Sequence, residues 1–313
     1  MLAFICPGQG SQSVGMAQDL YEQYPVAREL LDEVAAGVDF PLLPTMFDGP
    51  ADALTATENA QPALVAHSLA VAAVLQAEGI EPQMVAGHSL GEYAALAIAG
   101  VFTAADAVRL VRKRGLLMAE AGREVGGTMA AIIGLEESAL REALAQVSEG
   151  IVGIANFNSE DQTVISGEVE AVQIAGKLAT EAGARRVIPL QVSGAFHSPL
   201  MQSAAEQLTE ALAQVEFANA TVPVITNCDA ASHTDADELK QGLVQQLTHT
   251  VLWRQSVATM TEAGVDAFIE VGAGTVLSKM MQRSRIDAGI HNSANVDALR
   301  NSVIELGGLK PTQ

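Results

Sequence analysis

The sequence has few aromatic, few charged and few sulfhydryl side chains, which limits the residues that can form its core and excludes a disulfide-stabilised fold. Aromatic residues make up 4% and charged residues 17% of the 313 residues, whereas hydrophobic residues make up 49%. Segments rich in Ala, Leu and Val must therefore supply the core. Two cysteines, Cys6 and Cys228, are too few for a disulfide framework and match no metal-binding spacing. We expect each to be a buried thiol.

Basic residues are also scarce. The chain has 17 Lys and Arg against 37 Asp and Glu, which gives a net charge of −20. This charge excludes nucleic acid as a partner, because phosphate binding needs clustered basic residues.

The apolar runs are interrupted by Gly, Pro or charge, and we expect none to reach the roughly 18 residues of a membrane span. The first seven residues lack a basic segment and are typical of a strand rather than a signal peptide. These observations predict a soluble cytoplasmic protein with no membrane partner.

The first 120 residues predict short buried strands separated by helices. The predicted elements are a strand at Leu2–Cys6, a helix from Gln61 to about Glu78, a strand at Met84–Ala86, a helix at Gly91–Gly100 and a helix from Thr103 to about Glu120. The second element is apolar all round, which indicates a buried helix, and Pro62 is expected in its first turn, where a missing N–H costs nothing. Thr103 with Asp106 is typical of a capping box.

The pattern changes after Gly122. Between Thr128 and Leu190 the order is strand, helix, strand, strand, helix, strand, which predicts a ferredoxin-like (βαββαβ) subdomain inserted into an α/β fold. Beyond it we predict a helix from Pro199, a strand at Val222–Thr226, a helix near Glu238–Leu247 and a strand at Ala267–Val271. The residues from about Ile290 onward are polar and weakly patterned.

Gly87-His88-Ser89-Leu90-Gly91 fits the G-x-S-x-G pattern of a nucleophile elbow. In this arrangement a strand turns sharply into a helix, and small residues on either side of the nucleophile avoid clashes. The free N–H groups at the helix N-terminus then face the oxyanion that forms during acyl transfer. A short strand precedes the pattern and a helix follows it, so the context predicts that Ser89 is a nucleophile.

A serine nucleophile needs a general base, and six histidines are available: His67, His88, His197, His233, His249 and His291. His67 lies in the apolar helix and is expected to be a hydrogen-bonded core residue. His197 lies in a loop between a strand and the helix from Pro199, with Ser198 as the expected N-cap. Catalytic groups collect in such loops, which makes His197 the candidate base.

Arg114 occupies the apolar side of the helix that follows the elbow. Leu110 and Val111 precede it by one turn, and Leu117 and Met118 follow it by one turn. A buried guanidinium needs a partner, and no carboxylate at helical spacing on that face supplies one. Two explanations remain open at this point: a structural salt bridge, or a bond to the carboxylate of a substrate.

Six segments of the chain occur in a specific order. They are Pro7-Gly8-Gln9-Gly10-Ser11-Gln12, Gly87-His88-Ser89-Leu90-Gly91-Glu92-Tyr93, Arg114-Gly115, Asn156-Phe157-Asn158-Ser159, Gly194-Ala195-Phe196-His197-Ser198 and Glu270-Val271-Gly272-Ala273-Gly274. Together they closely resemble the malonyl-CoA:acyl carrier protein transacylases of bacterial fatty acid synthesis. The resemblance implies an α/β-hydrolase-like main domain, residues 1–124 and 192–313, and it accommodates the ferredoxin-like insertion at residues 125–191.

The resemblance also implies a role for each residue of the site. Ser89 would carry the malonyl group as an ester, and His197 would activate Ser89 and later the incoming thiol. Arg114 would pair with the malonyl carboxylate, for which a planar guanidinium fork is better suited than the ammonium group of lysine. The main-chain N–H groups of Gln9 and Leu90 would form the oxyanion hole.

Two further residues complete the implied site. Gln246 would orient the histidine base through its main-chain carbonyl, in place of a triad acid, for which the sequence offers no clear candidate. His88 would contact the substrate. Thr248-His249-Thr250 replaces the Asn-Pro that commonly follows the glutamine in this family, which leaves the shape of the loop open. No metal ion or other cofactor is implied.

The implied activity is transfer of a malonyl group from malonyl-CoA to acyl carrier protein, with these two molecules as partners. Carrier proteins are acidic, so a chain of net charge −20 needs a local basic surface to dock one. The candidates for this surface are Arg185, Arg186, Lys279, Arg283 and Arg285. Loading of a polyketide synthase and hydrolysis by a serine thioesterase are the alternatives. Phe196 favours a malonyl over a methylmalonyl group, because a bulky neighbour leaves less room for a methyl.

Overall fold

Two β-sheets organise the chain. The computed structural model describes residues 1–192 and 194–307, and within them the chain forms ten strands. In chain order the strands are β1 (Leu2–Cys6), β2 (Met84–Gly87), β3 (Thr128–Ile133), β4 (Val152–Ser159), β5 (Gln162–Gly167), β6 (Arg186–Pro189), β7 (Val224–Ile225), β8 (Ser232–His233), β9 (Ala267–Glu270) and β10 (Gly289–Asn292).

Fourteen α-helices connect the strands in the same described part of the chain. They are α1 (Gln18–Gln23), α2 (Pro25–Ala36), α3 (Leu42–Phe47), α4 (Ala51–Thr55), α5 (Thr57–Ala77), α6 (Gly91–Ile98), α7 (Ala104–Val125), α8 (Glu137–Ala145), α9 (Val169–Glu181), α10 (Gln202–Ala213), α11 (Ala236–Gln246), α12 (Trp253–Glu262), α13 (Val276–Arg283) and α14 (Val296–Glu305). A 3₁₀ turn at Pro199–Met201 leads into α10, with Ser198 as its N-cap. Thr103 caps α7 by accepting a hydrogen bond from the N–H of Asp106, as predicted.

The larger sheet has the strand order β10-β9-β1-β2-β7-β8. The first five strands are parallel, and β8 is antiparallel to β7. Phe4 of β1 packs into one core with α5 and α6, and Ile5 packs into a second core with α12 and α13, so both faces of the sheet are covered. Cys6 pairs with Gly87, so β1 and β2 end at the same level. The loops after them meet at the carboxyl edge of the sheet, where parallel α/β sheets bind ligands.

Helix α5 is the central helix of the larger core. It is long and apolar enough to cross a membrane, which corrects the expectation that no apolar segment reaches that length, but most of it is buried inside the protein. It packs against α2 and α7. Gly115 on α7 permits this close approach, because a Cβ there would lie 2.7 Å from the Cα of Glu58.

Pro62 lies inside α5 and not in its first turn, because the helix begins at Thr57 rather than at Gln61. Proline has no N–H to donate to the carbonyl of Glu58 in the preceding turn. That carbonyl instead accepts a hydrogen bond of 2.7 Å from Nη1 of Arg112 on α7. A side chain of the neighbouring helix therefore replaces the missing helical bond.

The smaller sheet is antiparallel, with the strand order β4-β5-β3-β6. Its segment runs strand, helix, strand, strand, helix, strand, in the order predicted. Ala130 and Ile132 of β3 pack with α8 and α9, whereas Met129 and Ala131, on the opposite face, belong to the main core. Its own helices thus cover one face of this sheet, and the larger part of the protein covers the other.

The segment after α11 joins the two sheets. The N–H of Val251 donates to the carbonyl of Ala155 at 2.8 Å, and the carbonyl of Val251 accepts from the N–H of Phe157 at 2.9 Å. The register of β4 against β5 shifts between Ile154 and Asn156, beside this pairing. The loop at Thr248–Thr250, whose shape the sequence left open, is therefore a turn and a bend that lead into this bridge at Val251.

The C-terminal segment is more regular than its composition indicates. The polar, weakly patterned residues after Ile290 contain the end of β10 and all of α14. Edge strand β10 pairs with β9, and the side chain of Asn295 accepts the N–H of Ala298 to cap α14. The main-chain N–H of Val296 also donates to the carboxylate of Asp19 at 3.0 Å. Tertiary contacts that the local sequence does not reveal determine these two elements.

Candidate active site

Ser89 stands at the apex of the turn between β2 and α6. Its φ of +53° lies in the left-handed region, which is uncommon for a residue other than glycine. A Cβ on Gly87 would lie 2.0 Å from the carbonyl carbon of Gly91, and a Cβ on Gly91 would lie 2.2 Å from the carbonyl oxygen of Cys6. Only glycine fits at both positions, so these residues enforce the sharp turn that presents Ser89 to the adjoining cavity.

Asn227 holds this turn from the end of the neighbouring strand β7. Its Oδ1 accepts a hydrogen bond of 2.7 Å from the N–H of Ser89, and its Nδ2 donates to the carbonyl of Gly87 at 2.7 Å. Asn227 is not among the site residues predicted from the sequence. A polar side chain placed directly after a buried parallel strand was the available signal.

His197 is hydrogen-bonded to Ser89. The distance from His197 Nε2 to Ser89 Oγ is 2.8 Å, and Nδ1 lies 2.9 Å from the main-chain carbonyl of Gln246. That carbonyl accepts the Nδ1 proton, so Nε2 is the basic nitrogen. Burial, and then the charge of Arg114, lower the pKa of His197 from 6.5 to about 3. The imidazole is therefore neutral near pH 7 and able to accept a proton.

Arg114 is buried beside the same hydroxyl. Its Nη2 lies 3.0 Å from Ser89 Oγ and 2.9 Å from Gln246 Oε1, and its Nη1 donates to Gln61 Oε1 at 2.8 Å. Within residues 1–192 and 194–307 no carboxylate forms an ion pair with this guanidinium. Of the two explanations that the sequence left open, the structural salt bridge is absent among these residues. Three neutral groups hold the cation instead.

The main-chain N–H groups of Gln9 and Leu90 are available to a ligand. Neither donates to another group in the described part of the chain, and both residues line the cavity. Gln9 follows β1, and its Oε1 accepts a hydrogen bond of 2.7 Å from Oγ1 of Thr57, which orients the loop. The parallel pairing of β1 with β2 brings these two residues to the same edge of the sheet as Ser89.

His88 also lines the cavity, beside the nucleophile. Its Nε2 lies 2.8 Å from Asn158 Oδ1, and its ring meets the edge of Trp253 with the ring centroids 5.7 Å apart. Burial lowers its pKa, so its ring is also neutral near pH 7. Asn158 comes from β4, so this contact joins the elbow to the smaller sheet. The structure thus brings together all seven residues named from the sequence.

The cavity lies between the two sheets and has a volume of about 420 Å³. The main part of the protein contributes Gly8, Ser89 and Arg114, and the smaller sheet contributes Met129 and Val164. A mostly apolar pocket with a few converging polar groups is typical of a small-molecule site. The arrangement pairs a nucleophile and a base with two free N–H donors and a buried cation.

The remaining histidines and the cysteines do not line this cavity. His67 is buried, but neither ring nitrogen has a hydrogen-bond partner among the residues that the structure describes, which corrects the expectation of a hydrogen-bonded core residue. Cys6 is buried as expected, whereas Cys228 is only half-buried. Burial raises the pKa of both thiols, that of Cys228 to about 12. No cluster of His, Cys, Asp or Glu that could hold a metal ion occurs in the described residues.

Comparisons with known proteins match nearly the whole chain. The family model described as "Acyl transferase domain" matches residues 3–301. The malonyl CoA-acyl carrier protein transacylase of Bacillus subtilis (strain 168) is 45% identical over 284 residues, which cover 90% of each chain. The protein of the same name from Escherichia coli (strain K12) is 43% identical over 306 residues, which cover 97% of this chain and 99% of its own.

Solved structures with a similar backbone belong to the same kind of enzyme as these relatives. The acyl carrier protein S-malonyltransferase of Vibrio cholerae superposes with a TM-score of 0.93 at 42% identity, covering 96% of this chain and 99% of that chain. A malonyl-transacylase solved with a type II PKS acyl-carrier protein has a TM-score of 0.93 at 38% identity, covering 97% of this chain and 99% of that chain. Sequence and backbone thus point to the same group of acyltransferases.

Proposed function

Because the chain belongs to the malonyl CoA-acyl carrier protein transacylase family, we propose that it moves a malonyl group from malonyl-CoA to the phosphopantetheine thiol of acyl carrier protein. The observation that carries this proposal is the convergence of a base and a cation on one hydroxyl oxygen. His197 Nε2 and Arg114 Nη2 lie 2.8 and 3.0 Å from Ser89 Oγ. The reaction supplies malonyl units for fatty acid synthesis.

The first half-reaction forms an ester on Ser89. Its Oγ attacks the thioester carbonyl carbon while His197 Nε2 accepts the hydroxyl proton. The bond from that carbon to the sulfur of coenzyme A then breaks, and the imidazolium returns the proton to the departing thiolate. The Gln246 carbonyl, 2.9 Å from Nδ1, holds the ring in the required tautomer throughout.

The free N–H groups of Gln9 and Leu90 stabilise the negative charge that develops on the carbonyl oxygen. One lies after β1 and the other at the start of α6, so they approach the oxygen from two sides. Removing one such donor in other acyl-transfer enzymes typically lowers kcat about 10²- to 10³-fold. Preorganised donors are effective here because the cavity is largely apolar.

Arg114 pairs with the malonyl carboxylate. When the substrate binds, the carboxylate replaces Ser89 Oγ as the acceptor of the Nη2 hydrogen bond, while Gln61 Oε1 and Gln246 Oε1 continue to hold the guanidinium. A guanidinium presents two parallel donors that match a carboxylate. His88, neutral and held by Asn158 of the smaller sheet, contacts the acyl group beside the nucleophile.

The second half-reaction reverses the first with a different thiol. The phosphopantetheine thiol gives its proton to His197 Nε2 and attacks the malonyl ester, and Ser89 recovers the proton as its Oγ leaves. The kinetics are therefore ping-pong. The solved complex of a malonyl-transacylase with a type II PKS acyl-carrier protein makes loading of a polyketide carrier the second candidate, with the same chemistry.

The proposal extends to the architecture and to the location of the protein. The parallel sheet with its elbow after β2 supports an α/β-hydrolase-like main domain of residues 1–124 and 192–313. The strand order β4-β5-β3-β6 supports a ferredoxin-like insertion at residues 125–191. A cytoplasmic location follows from the substrates, since malonyl-CoA and acyl carrier protein are cytoplasmic in bacterial fatty acid synthesis.

The experiment that tests the function follows the acyl group by intact mass. Incubation with malonyl-CoA should add about 86 Da, the increment for one malonyl ester. Addition of acyl carrier protein bearing phosphopantetheine should remove this mass and place it on the carrier. If the malonyl ester were hydrolysed at the same rate without acyl carrier protein, the enzyme would be a thioesterase, which would contradict the proposal.

A further inference from the structure

Glu92 is a buried carboxyl group one turn beyond the nucleophile. Its side chain is 1% exposed, and its Oε2 accepts hydrogen bonds from Gln246 Nε2 at 2.7 Å and from the N–H of Asn227 at 3.2 Å. Its Oε1 has no hydrogen-bond partner among the described residues. A buried carboxyl group is costly, and the reaction steps above do not use this one.

The side-chain amide of Gln246 lies between Glu92 and Arg114. Its Oε1 accepts from Arg114 Nη2 at 2.9 Å, and its Nε2 donates both to Glu92 and to the carbonyl of Ser89, at 2.7 and 2.9 Å. If the side-chain amide of Gln246 were rotated by 180°, its NH₂ group would face the guanidinium, and two donors would meet. Its oxygen would then face the Glu92 carboxyl group and the Ser89 carbonyl, which are both acceptors. Glu92 therefore determines which end of the amide faces Arg114.

We infer that Glu92 is a positioning residue for substrate selection: it fixes the Gln246 amide so that Arg114 is held where it meets the malonyl carboxylate. The inference rests on the proposed function, because it assigns Glu92 a role in that site. Glu92 acts through its hydrogen bond to Gln246 and forms no hydrogen bond with Arg114. Its position in α6, the helix that follows the nucleophile, couples the cation to the elbow.

The geometry makes this role independent of the charge on Glu92. Burial raises the pKa of Glu92 to about 7, and the titratable groups around it are Arg114, Tyr93, Cys228 and Asp229. When the carboxyl group is neutral, Oε1 has room for the proton because nothing bonds to it, and Oε2 remains an acceptor. The distance from Oε2 to Gln246, and not the negative charge, is therefore the property to test.

Two conservative variants separate distance from charge. Glu92→Gln keeps an oxygen acceptor at the position of Oε2 and removes the charge, whereas Glu92→Asp keeps the charge and withdraws the acceptor by one methylene. The measurement is kcat/KM for malonyl-CoA and for acetyl-CoA with acyl carrier protein as acceptor. We expect Glu92→Asp to shift the malonyl-to-acetyl ratio about tenfold toward acetyl, mainly through KM for malonyl-CoA. The Glu92→Gln ratio should stay within about threefold of the unmodified protein.

Glu270→Asp is the matched control for general damage. Glu270 is a second buried carboxylate, at the end of β9, where it accepts the N–H groups of Leu277 and Ser278. Shortening it should lower the melting temperature and leave the malonyl-to-acetyl ratio unchanged. Melting curves of all variants show whether each one is folded.

Comparing the effect of Glu92→Asp with and without Arg114 tests whether Glu92 acts through this cation. In the Arg114→Ala background, Glu92→Asp should change the ratio by less than about twofold, because no cation remains to be positioned. An unchanged ratio in Glu92→Asp alone, a tenfold shift in Glu92→Gln, or a full effect without Arg114 would each overturn the inference. Failure of the proposed function has a different signature, since Arg114→Ala itself would then leave the ratio unchanged.

Discussion

The guanidinium of Arg114 donates a hydrogen bond of 3.0 Å to the hydroxyl oxygen of Ser89. The cation proposed to bind the acyl carboxylate therefore touches the nucleophile itself. This closeness matches a malonyl group, in which a single methylene separates the carboxylate from the carbonyl carbon under attack. A longer dicarboxylic acyl chain would place its carboxylate too far from the reacting carbon to meet the same cation.

Replacing Arg114 tests substrate selection. Arg114→Ala should lower kcat/KM for malonyl transfer about 10²- to 10⁴-fold, because two charge-assisted hydrogen bonds are lost. It should retain or gain acetyl transfer, because Ser89, His197 and the oxyanion donors remain. Arg114→Lys should recover only part of the malonyl activity, since an ammonium cannot make the planar two-point contact. A lower melting temperature with an unchanged malonyl-to-acetyl ratio would indicate a purely structural arginine.

Removing the nucleophile tests the covalent step. Ser89→Ala should lower turnover about 10⁴-fold or more and abolish the malonyl adduct, because no other hydroxyl of residues 1–192 and 194–307 is paired with His197. Its fold should persist, because Asn227 bonds to main-chain atoms of the turn and not to the serine hydroxyl. Intact mass after incubation with malonyl-CoA is the measurement. A malonyl adduct on the alanine variant would refute the assignment.

The buried His67 predicts a pH-dependent loss of stability. Burial lowers its pKa from 6.5 to about 4 in the folded protein. Between these values the unfolded chain binds more protons than the folded chain, so stability falls as the pH falls from about 6.5 toward 4. Between pH 7.5 and pH 5 the protein should lose about 2 kcal/mol of unfolding free energy relative to His67→Leu. Urea melts at the two pH values measure this difference, and parallel losses in both proteins would contradict it.

The predicted carrier-docking surface is tested by charge reversal. Arg185 forms an ion pair with Asp161, whereas Arg186 and Arg283 are exposed and form no ion pair with another described residue. Arg186→Glu or Arg283→Glu should raise KM for acyl carrier protein, increasingly so at low salt, with little change in KM for malonyl-CoA. Arg109→Glu, an exposed site on α7 outside the predicted surface, is the control. Equal effects on both KM values would indicate damage to the active site.

The structural features that depend on a local sequence pattern could be predicted. The elbow at Ser89 was visible because glycine is required on both sides of it, and the order of strands and helices between Thr128 and Leu190 was predicted correctly. The start of α5 was misplaced because a proline usually marks a first turn, whereas here Arg112 satisfies the carbonyl that Pro62 leaves free.

The residues that hold the site in place through hydrogen bonds could not be predicted from local pattern. Glu92 and Asn227 are separated by more than a hundred positions, and only the fold brings Glu92 to Gln246 and Asn227 to Ser89. Nothing in the local pattern around Asn227 reveals that its strand adjoins β2. The hydrogen bonds by which Glu92 and Asn227 support the site therefore depend on the order of the strands, which the local sequence pattern does not specify.

The pairing of Val251 with β4 ties the two sides of the cavity together. Val251 bonds to Ala155 and Phe157 of the smaller sheet, five positions after the Gln246 carbonyl that orients His197. The same strand supplies Asn158, which bonds to His88 beside the nucleophile. The alignment of base and nucleophile therefore depends on the placement of the smaller sheet, so a substitution that shifts this sheet should alter the rate of acyl transfer as well as the fit of the substrate.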